Sequence, residues 1–300
     1  MTTENTSSVG FTLEREDFSS TEYGLAIYIL TAFFCLCGLV GNGKVIWLLS
    51  LYIQRTYFIT YILNLAIADF GTLLALFIRL FALSLHKASD FALSFLYSLF
   101  FFTHSTSLYL LTVISMERCL AVLLPVWYQR RRRGHASVFV SFLLWVFSGL
   151  LSGGLLLFCH VLSFKTTYLI MTNIICSLNM LIFTPFMVAS TLTLFIKICC
   201  HSQGHHPPKV YSVILLALLF FIIFAIPLSA VHVVLIYSKH YSRLAIEISV
   251  LCASFNSSVN PLIYCFIGRD KNHWCKDSMK VVLQRIFKDE TESRTSESAA

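Results

Sequence analysis

Seven long apolar stretches, separated by short polar segments, run along almost the whole chain. Each is longer than the roughly 20 residues that a helix needs to cross the ~30 Å hydrocarbon core of a bilayer. Lipid offers no partners to backbone polar groups, so these stretches are predicted to be helices. The predicted spans are Leu25–Tyr52, Phe58–Leu83, Phe91–Leu124, Ala136–Cys159, Tyr168–Cys199, Val210–Tyr237 and Tyr241–Ile267.

The overall composition supports a membrane protein. Hydrophobic residues make up 57% of the 300 residues and charged residues only 12%, about half of what a soluble domain carries. Such a chain cannot cover a water-facing surface. The predicted fold is therefore an all-α membrane protein, a bundle of seven transmembrane helices in one domain over residues 25–267.

The distribution of Lys and Arg predicts the orientation. One side of the predicted membrane carries Arg55, Arg130 to Arg133, Lys197, Lys209, Arg269, Lys271, Lys276, Lys280, Arg285, Lys288 and Arg294. The other side carries only Arg15, Lys87, Lys165, Lys239 and Arg243. The positive-inside rule places the first set in the cytoplasm. With seven spans, the N-terminus is then extracellular, as expected for a multi-pass protein of the plasma membrane.

The two ends of the chain have different predicted roles. Residues 1–24 form a short acidic tail with no cleavable signal peptide, and Asn5 begins a glycosylation sequon. Residues 268–288 alternate apolar and basic positions at helical spacing, which predicts a short cytoplasmic amphipathic eighth helix on the membrane lipid. Within it, Cys275 is either a palmitoylation site or an unmodified thiol. Residues 289–300 are predicted to be disordered, either as a phosphorylated tail or as a solubilising one.

One acidic residue lies at mid-membrane depth. A charge there is costly and indicates function, and Asp69 has no cation at helical spacing in its own helix. Small polar residues lie at comparable depth in other spans: Asn42, Ser107, Asn256, Ser257 and Asn260. One carboxylate with several neutral oxygens suits an allosteric sodium ion or a water cluster. A protonated Asp69 bonded to Asn260 without an ion is the equal alternative.

Residues near the cytoplasmic side predict a switch. Glu117-Arg118 ends the third span, so that Arg118 is either held by Glu117 and released on activation or part of a plain interfacial ion pair. Pro227 and Pro261 each remove a backbone donor and weaken their helices. They indicate bending points or static kinks. The predicted coupling set is Glu117, Arg118, Phe221, Pro227, Asn260, Pro261 and Tyr264.

Taken together, these residues resemble the signature of rhodopsin-like G-protein-coupled receptors. The ordered set is Gly41-Asn42, Asn64 to Asp69, Glu117-Arg118-Cys119, Trp145, Pro185, Pro227 and Asn260-Pro261 to Tyr264. The run Ile114–Leu123 with Pro125 to Tyr128, Asn256 to Pro261 and Val281 to Arg285 resembles the Mas-related receptor family. The resemblance implies a heterotrimeric G protein as partner, together with arrestin and receptor kinases.

The cysteines do not form a disulfide framework, since most fall inside apolar runs and no C-x-x-C pair occurs. Only Cys159 and Cys176 flank an outer loop. The resemblance implies a bridge between helices four and five, for which Cys159 fits the first position and Cys176 is the nearest thiol to the second.

Departures from the receptor signature carry information. Phe100 stands where amine receptors have Asp, and Ser254 stands where opsins have the retinal lysine. The resemblance therefore excludes a photoreceptor and disfavours a monoamine. No acid stands at the start of helix six to hold Arg118, which predicts measurable ligand-independent signalling.

The outer half of the bundle is the predicted ligand pocket. Its candidate residues are Arg79, Phe100, Phe101, His104, Asn173, His232 and Glu247. Arg79 either receives an anionic group of a peptide or small molecule, or snorkels to the headgroups. Leu155 and Asn173 align with acids that bind cationic peptides in some relatives. The resemblance therefore disfavours a strongly basic ligand, although the acidic N-terminal tail could still attract one.

The sequence gives less support to two other functional classes. A transporter or ion channel would use the polar residues around Asp69, but it needs a second membrane acid or a continuous polar path. An enzyme needs a nucleophile with a base, or metal ligands at fixed spacing, and neither pattern is present in the sequence. A nucleic-acid partner is not expected.

Overall fold

The computed structural model describes residues 22–53, 56–85, 89–124, 128, 136–160, 165–201, 209–238, 243–268 and 279–284. These residues form seven long helices and no strand. The helices are α1 (Glu22–Leu51), α2 (Tyr57–Ser84), α3 (Asp90–Leu123), α4 (Ala136–His160), α5 (Lys165–Leu178, Asn179–Phe183 and Thr184–His201), α6 (Lys209–Ser238) and α7 (Arg243–Gly268). A helix is present at each of the seven predicted spans, within a few residues of the predicted ends.

The helices pack as one bundle. In it, α1 packs against α2 and α7, α3 packs against α2, α4 and α5, and α6 packs against α5 and α7. Polar residues define two of the helix starts. The Thr56 hydroxyl accepts a hydrogen bond from the Ile59 amide before α2, and the Ser89 hydroxyl accepts one from the Ala92 amide before α3. These caps satisfy donors that would otherwise lack partners.

The outside of the bundle is apolar. Large hydrophobic side chains such as Phe33, Phe139, Leu150, Leu181 and Ile223 are exposed on it. By length and composition, six of the described helices, α1 to α6, can cross a membrane. The seventh, α7, is equally long but buries Asn256, Ser257, Ser258 and Asn260 inside the bundle. The chain is therefore a multi-pass membrane protein whose polar residues turn inward.

Inside the bundle the core has two parts. An inner cluster includes Leu65, Ala68 and Ile114, and an outer cluster includes Leu73, Phe100 and Phe101. Asp69 follows Ala68 on α2 and therefore lies where the two apolar parts meet. The buried carboxylate thus sits between an outer and an inner core.

A close approach of α1 and α7 depends on glycine. A Cβ added at Gly38 would lie 2.9 Å from the Ser258 Cα, and one at Gly41 would lie 3.0 Å from the Pro261 Cβ. Only hydrogen fits at Gly38, because backbone cannot retreat as a flexible side chain can. The contact places the polar residues of α1 and α7 next to each other.

Helix α5 contains one π-helical turn, Asn179–Phe183, directly before Thr184 and Pro185. The Thr184 amide and hydroxyl both bond to the Asn179 carbonyl, the hydroxyl at 2.9 Å. A π turn inserts one extra residue and shifts the face that the helix presents. The helix is thus widened two residues before Pro185, and Asn179 is buried in the core.

Several predictions about the ends lie outside the described residues. They include the tail with Asn5, Cys275 and the last residues of the chain. Residues 279–284 are helical, with Val282 and Leu283 buried and Val281 and Gln284 exposed. This pattern agrees with an amphipathic segment there, but the full eighth helix stays a prediction.

The predicted Cys159–Cys176 disulfide is wrong in this structure. Cys176 is a free thiol inside α5, buried in the outer core with Ile175. It faces the helix bundle rather than the loop between α4 and α5, so it behaves as a small apolar residue. The Cys159 side chain lies outside the described residues.

Candidate functional site

The polar centre of the bundle is organised by one carboxylate. Ser107 on α3 donates its hydroxyl to Asp69 Oδ1 at 2.8 Å, and Asn260 on α7 donates its side-chain amide to Asp69 Oδ2 at 2.7 Å. All three side chains are buried. Asp69 on α2 therefore links three helices, and the structure brings together the residues that the sequence grouped.

Two further members of the polar centre have unused oxygens. Asn42 donates its amide to the backbone carbonyls of Gly38, at 3.0 Å, and Ser257, at 2.9 Å. Its Oδ1 is buried without a partner. The Ser257 hydroxyl interacts with Asp69 but makes no hydrogen bond of good geometry. Buried oxygens without partners are costly, so this site suits a water molecule or a small hard cation.

The remaining predicted member, Asn256, is buried beside Ser257 on α7. Among the described residues, no group of three or more His, Cys, Asp or Glu side chains is arranged to hold a metal ion. A cation at Asp69 would thus rely on one carboxylate with amide and hydroxyl oxygens. Such a weak, hard-oxygen set fits sodium better than a transition metal.

At the inner end of α3, two tyrosines hold Glu117. Tyr61 on α2 donates its hydroxyl to Glu117 Oε1 at 3.2 Å, and Tyr128, beyond α3, donates to Oε2 at 2.9 Å. Both oxygens of the carboxylate are engaged. The sequence predicted a role for Glu117 but not for these tyrosines.

Next to Glu117, the Arg118 side chain lies against an aromatic ring. Its guanidinium carbon is 3.6 Å from the centre of the Phe58 ring on α2, and the side chain is only 5% exposed. This is a cation–π contact in a nearly dry environment, where such contacts are strongest. We call Glu117, Arg118, Tyr61, Tyr128 and Phe58 the inner switch.

The predicted bending residues occupy different surroundings. Pro261 and Tyr264 on α7 are buried, and Pro261 packs against Gly41. Pro227 lies inside α6 and is half-buried. Near it, Phe224 contacts Phe255 on α7 with ring centres 4.6 Å apart. The Phe221 side chain, also predicted for the switch, lies outside the described residues.

Four of the predicted ligand-pocket residues come together in the outer half of the bundle. Phe100 stacks on His104 with ring centres 5.4 Å apart, and Phe101 meets the His232 ring edge-on at 5.7 Å. Tyr97 joins them through Phe101, at 4.8 Å, and its hydroxyl lies 3.0 Å from His232 Nε2. We call Tyr97, Phe100, Phe101, His104 and His232 the outer aromatic cluster.

The other three pocket candidates lie on separate helices. Arg79 is half-buried toward the outer end of α2, and Asn173 is half-buried on α5. Glu247 on α7 is buried, with 6% of its surface exposed. The ring contacts described above thus connect four of the seven pocket candidates.

A second buried network joins α3 to the π turn of α5. Tyr109 donates its hydroxyl to Asn179 Oδ1 at 3.0 Å, and the Asn179 amide donates to Ser105 at 3.1 Å. Elsewhere, Trp145 on α4 donates to Asn64 on α2 at 3.0 Å. The sequence did not predict these bonds of Asn179. The π turn sets the direction of its side chain, and an apolar run does not reveal that turn.

Comparisons with known proteins agree with this arrangement. Residues 41–264 match the 7 transmembrane receptor (rhodopsin family). The chain is 38% identical to rat "Proto-oncogene Mas" over 277 residues, covering 87% of this chain and 83% of the relative. It is 36% identical to human "Mas-related G-protein coupled receptor member D" over 285 residues, covering 89% and 87% respectively. It is also 35% identical to rat "Mas-related G-protein coupled receptor member H" over 261 residues, covering 85% and 81%.

Proposed function

The chain belongs to the rhodopsin family of seven-transmembrane receptors, within the Mas-related G-protein-coupled receptors, and we propose how its parts divide the work. The N-terminus faces outward from the plasma membrane. A peptide or small molecule binds at the outer aromatic cluster, and the inner switch contacts a heterotrimeric G protein. As a signalling receptor the chain is not an enzyme, and its family does not favour a transporter or ion channel.

One observation carries this division: a single helix, α3, holds a residue of each site. Phe101 belongs to the outer aromatic cluster, Ser107 bonds to Asp69, and Arg118 belongs to the inner switch. At 1.5 Å per residue, Ser107 lies ~9 Å from Phe101 and ~16 Å from Arg118 along the axis. Sites spaced on one rigid element can be coupled if that element has two arrangements.

Activation is a population shift between two bundle arrangements. The ligand binds one arrangement better, in which the inner half of α6 swings outward around Pro227. The Phe224–Phe255 contact ties α6 to α7 near this proline, so it must change during the swing. The opened inner face then exposes Arg118 and Tyr264 to a helix of the G-protein α-subunit.

Asp69 sets the balance between the arrangements. A sodium ion or water cluster held by Asp69, Asn42 and Ser257 favours the arrangement described above, because it binds to the oxygen atoms that lack a hydrogen-bond partner there. Receptor kinases and arrestin act on the tail after residue 288, and membrane lipid binds the segment 268–288. Asn5 is glycosylated on the outer side, and Cys275 is palmitoylated on the inner side.

The test uses purified receptor in nanodiscs with purified heterotrimers of each α-subunit class. Nucleotide exchange on at least one class should rise above that of empty nanodiscs, without added ligand. Arg118→Ala should abolish this rise. Lys44→Ala is the matched control, since Lys44 is an exposed cation on α1 that is not part of the inner switch, and it should leave exchange unchanged.

A peptide and small-molecule screen with calcium and cyclic-AMP readouts then identifies agonists. A receptor that stimulates none of the α-subunit classes, either alone or with any agonist that binds it, would contradict the proposal.

A further inference from the structure

Glu247 is a buried acid on α7, and no residue in the described part of the chain pairs with it. Its side chain is 6% exposed, and within the described residues its carboxylate has neither a hydrogen bond nor an ion pair. A carboxylate taken out of water is strongly destabilising unless it is paired. A cationic group of a bound ligand would supply such a partner.

The position of Glu247 on α7 shows which way it faces. Val250, Ser254 and Ser257 follow it at intervals of three or four residues, and all are buried. Residues at this spacing share one face of a helix. Ser257 interacts with Asp69 at the polar centre, so this face is the interior of the bundle. Glu247 lies ~15 Å further out along the same face.

The neighbours of Glu247 on α7 share their apolar core with aromatic rings. Ile246 and Val250, on either side of Glu247, pack into the same outer core as Phe100, Phe101 and Tyr97. A carboxylate beside several aromatic rings is a recurrent arrangement for binding an ammonium or guanidinium group. The carboxylate supplies the charge, and the ring faces attract the cation.

A second unpartnered group marks the deep end of the same region. His104 is 2% exposed, and its Nδ1 has no hydrogen-bond partner, although the ring stacks on Phe100. It lies one turn of α3 outward from Ser107. A ligand that reaches from Glu247 past the rings can thus place a polar atom at His104.

We propose that the receptor recognises a ligand with a cationic amine or guanidine on an aromatic or apolar body, and that Glu247 is its counter-charge. This deepens the proposed function and rests on it, because the ligand enters the same outer pocket. It replaces the expectation from the sequence that a basic ligand is disfavoured. That expectation considered Phe100, Leu155 and Asn173, whereas Glu247 offers the acid from α7.

The experiment measures binding of three matched probes to the nanodisc receptor by saturation-transfer NMR and thermal shift. The probes are 2-phenylethylammonium, the neutral 2-phenylethanol and the anionic 3-phenylpropanoate. The ammonium probe should bind at least tenfold more tightly than the neutral one. In Glu247→Gln, which keeps the size but removes the charge, the two affinities should fall within twofold of each other.

Lys44→Gln is the control, because it removes a charge from the exposed face of α1 and leaves Glu247 intact. It should retain the preference for the ammonium probe. If Glu247→Gln fails to fold, the comparison of probes on the unmodified receptor decides alone. Equal affinity for ammonium and neutral probes, preference for the anionic probe, or an ammonium preference that survives Glu247→Gln overturns the inference.

The two proposals fail differently. A receptor that drives nucleotide exchange but shows no preference for the ammonium probe loses only the cationic ligand class. A receptor that binds the ammonium probe through Glu247 but drives no exchange contradicts the proposed signalling and not the binding site.

Discussion

Asn260 on α7 donates its side-chain amide to Asp69 on α2 at 2.7 Å, across 191 positions of sequence. Ser107 on α3 takes the other carboxylate oxygen at 2.8 Å. Three helices are thus tied to one buried carboxylate. Anything that adds a positive charge there, or removes the negative one, changes how firmly the three helices are held together.

Sodium is expected to lower the ligand-independent activity of this receptor. A cation at Asp69 satisfies the unused oxygens of Asn42 and Ser257 and so stabilises the arrangement seen here. Nucleotide exchange should be lower in sodium chloride than in choline chloride at equal ionic strength. Asp69→Asn removes the charge and should abolish the difference between the two salts.

Two neighbouring serines provide a matched pair for the same assay. Ser257→Ala removes a hydroxyl that faces Asp69, and should weaken the sodium effect. Ser258→Ala removes a hydroxyl that bonds only to the Phe255 carbonyl of its own helix, and should leave it intact. If the unmodified receptor responds equally to both salts, the polar centre holds water alone.

The two tyrosines on Glu117 are expected to restrain signalling. Tyr61→Phe or Tyr128→Phe removes one hydrogen bond to a charged group, worth about 1 kcal/mol at a partly buried position, or roughly fivefold in population. Ligand-independent nucleotide exchange should rise by up to that factor with each change. Tyr23→Phe, at a side chain 79% exposed on α1, is the control and should not alter exchange. A fall in exchange for both variants would show that the tyrosines support the active arrangement instead.

Much of this architecture follows from simple features of the sequence. Long apolar runs with few charges predict membrane helices, because lipid tolerates little else. An acid such as Asp69 in such a run must meet polar groups, and Ser107 and Asn260 were the natural candidates at its depth. Both arguments depend on the high cost of exposing polar groups to lipid, because that cost leaves few structures that such a sequence can adopt.

Other contacts could not be predicted from the sequence, and the reasons are also physical. A tyrosine is amphipathic and common in any helix, so nothing singled out Tyr61 as a partner of Glu117. Cys176 lay near an outer loop in sequence, but its angular position on α5 turns it into the core. Which face a residue takes depends on helix rotation and on the π turn, and neither is visible in an apolar run without strong periodicity.

Gly38 is expected to be essential for stability. An added Cβ would lie 2.5 Å from a Leu73 methyl and 2.9 Å from the Ser258 Cα. The methyl can move, but the backbone of α7 cannot without separating the helices. Gly38→Ala should therefore cost about 1–3 kcal/mol, as overpacking does, and lower the thermal unfolding midpoint by several degrees.

Gly153 on α4 is the matched control, since a Cβ there would meet nothing within 4 Å. Gly153→Ala should keep or slightly raise the midpoint, because alanine favours a helix by about 0.5–1 kcal/mol over glycine. Equal midpoints for both variants would mean that α1 and α7 are not in close contact.

The hydrogen bond between Tyr97 and His232 is expected to restrain the outer half of α6. His232 Nδ1 lies 2.8 Å from the Leu228 carbonyl, so it carries the proton in the neutral ring, and Nε2 accepts from the Tyr97 hydroxyl at 3.0 Å. Leu228 directly follows Pro227. The bond therefore fastens α3 to α6 at His232, whose ring is in turn bonded to the carbonyl of the residue after the predicted bending point.

Tyr97→Phe keeps the ring against Phe101 and removes only the hydroxyl, so it isolates this bond. Hydrogen exchange should quicken in the outer half of α6, and ligand-independent nucleotide exchange should rise about two- to fivefold, the effect of losing about 0.5–1 kcal/mol. Tyr109→Phe breaks a bond from α3 to Asn179 on α5 instead. It should lower the unfolding midpoint without altering hydrogen exchange in α6. If both variants loosen α6 equally, the effect is one of general stability, and α6 is not held specifically by Tyr97.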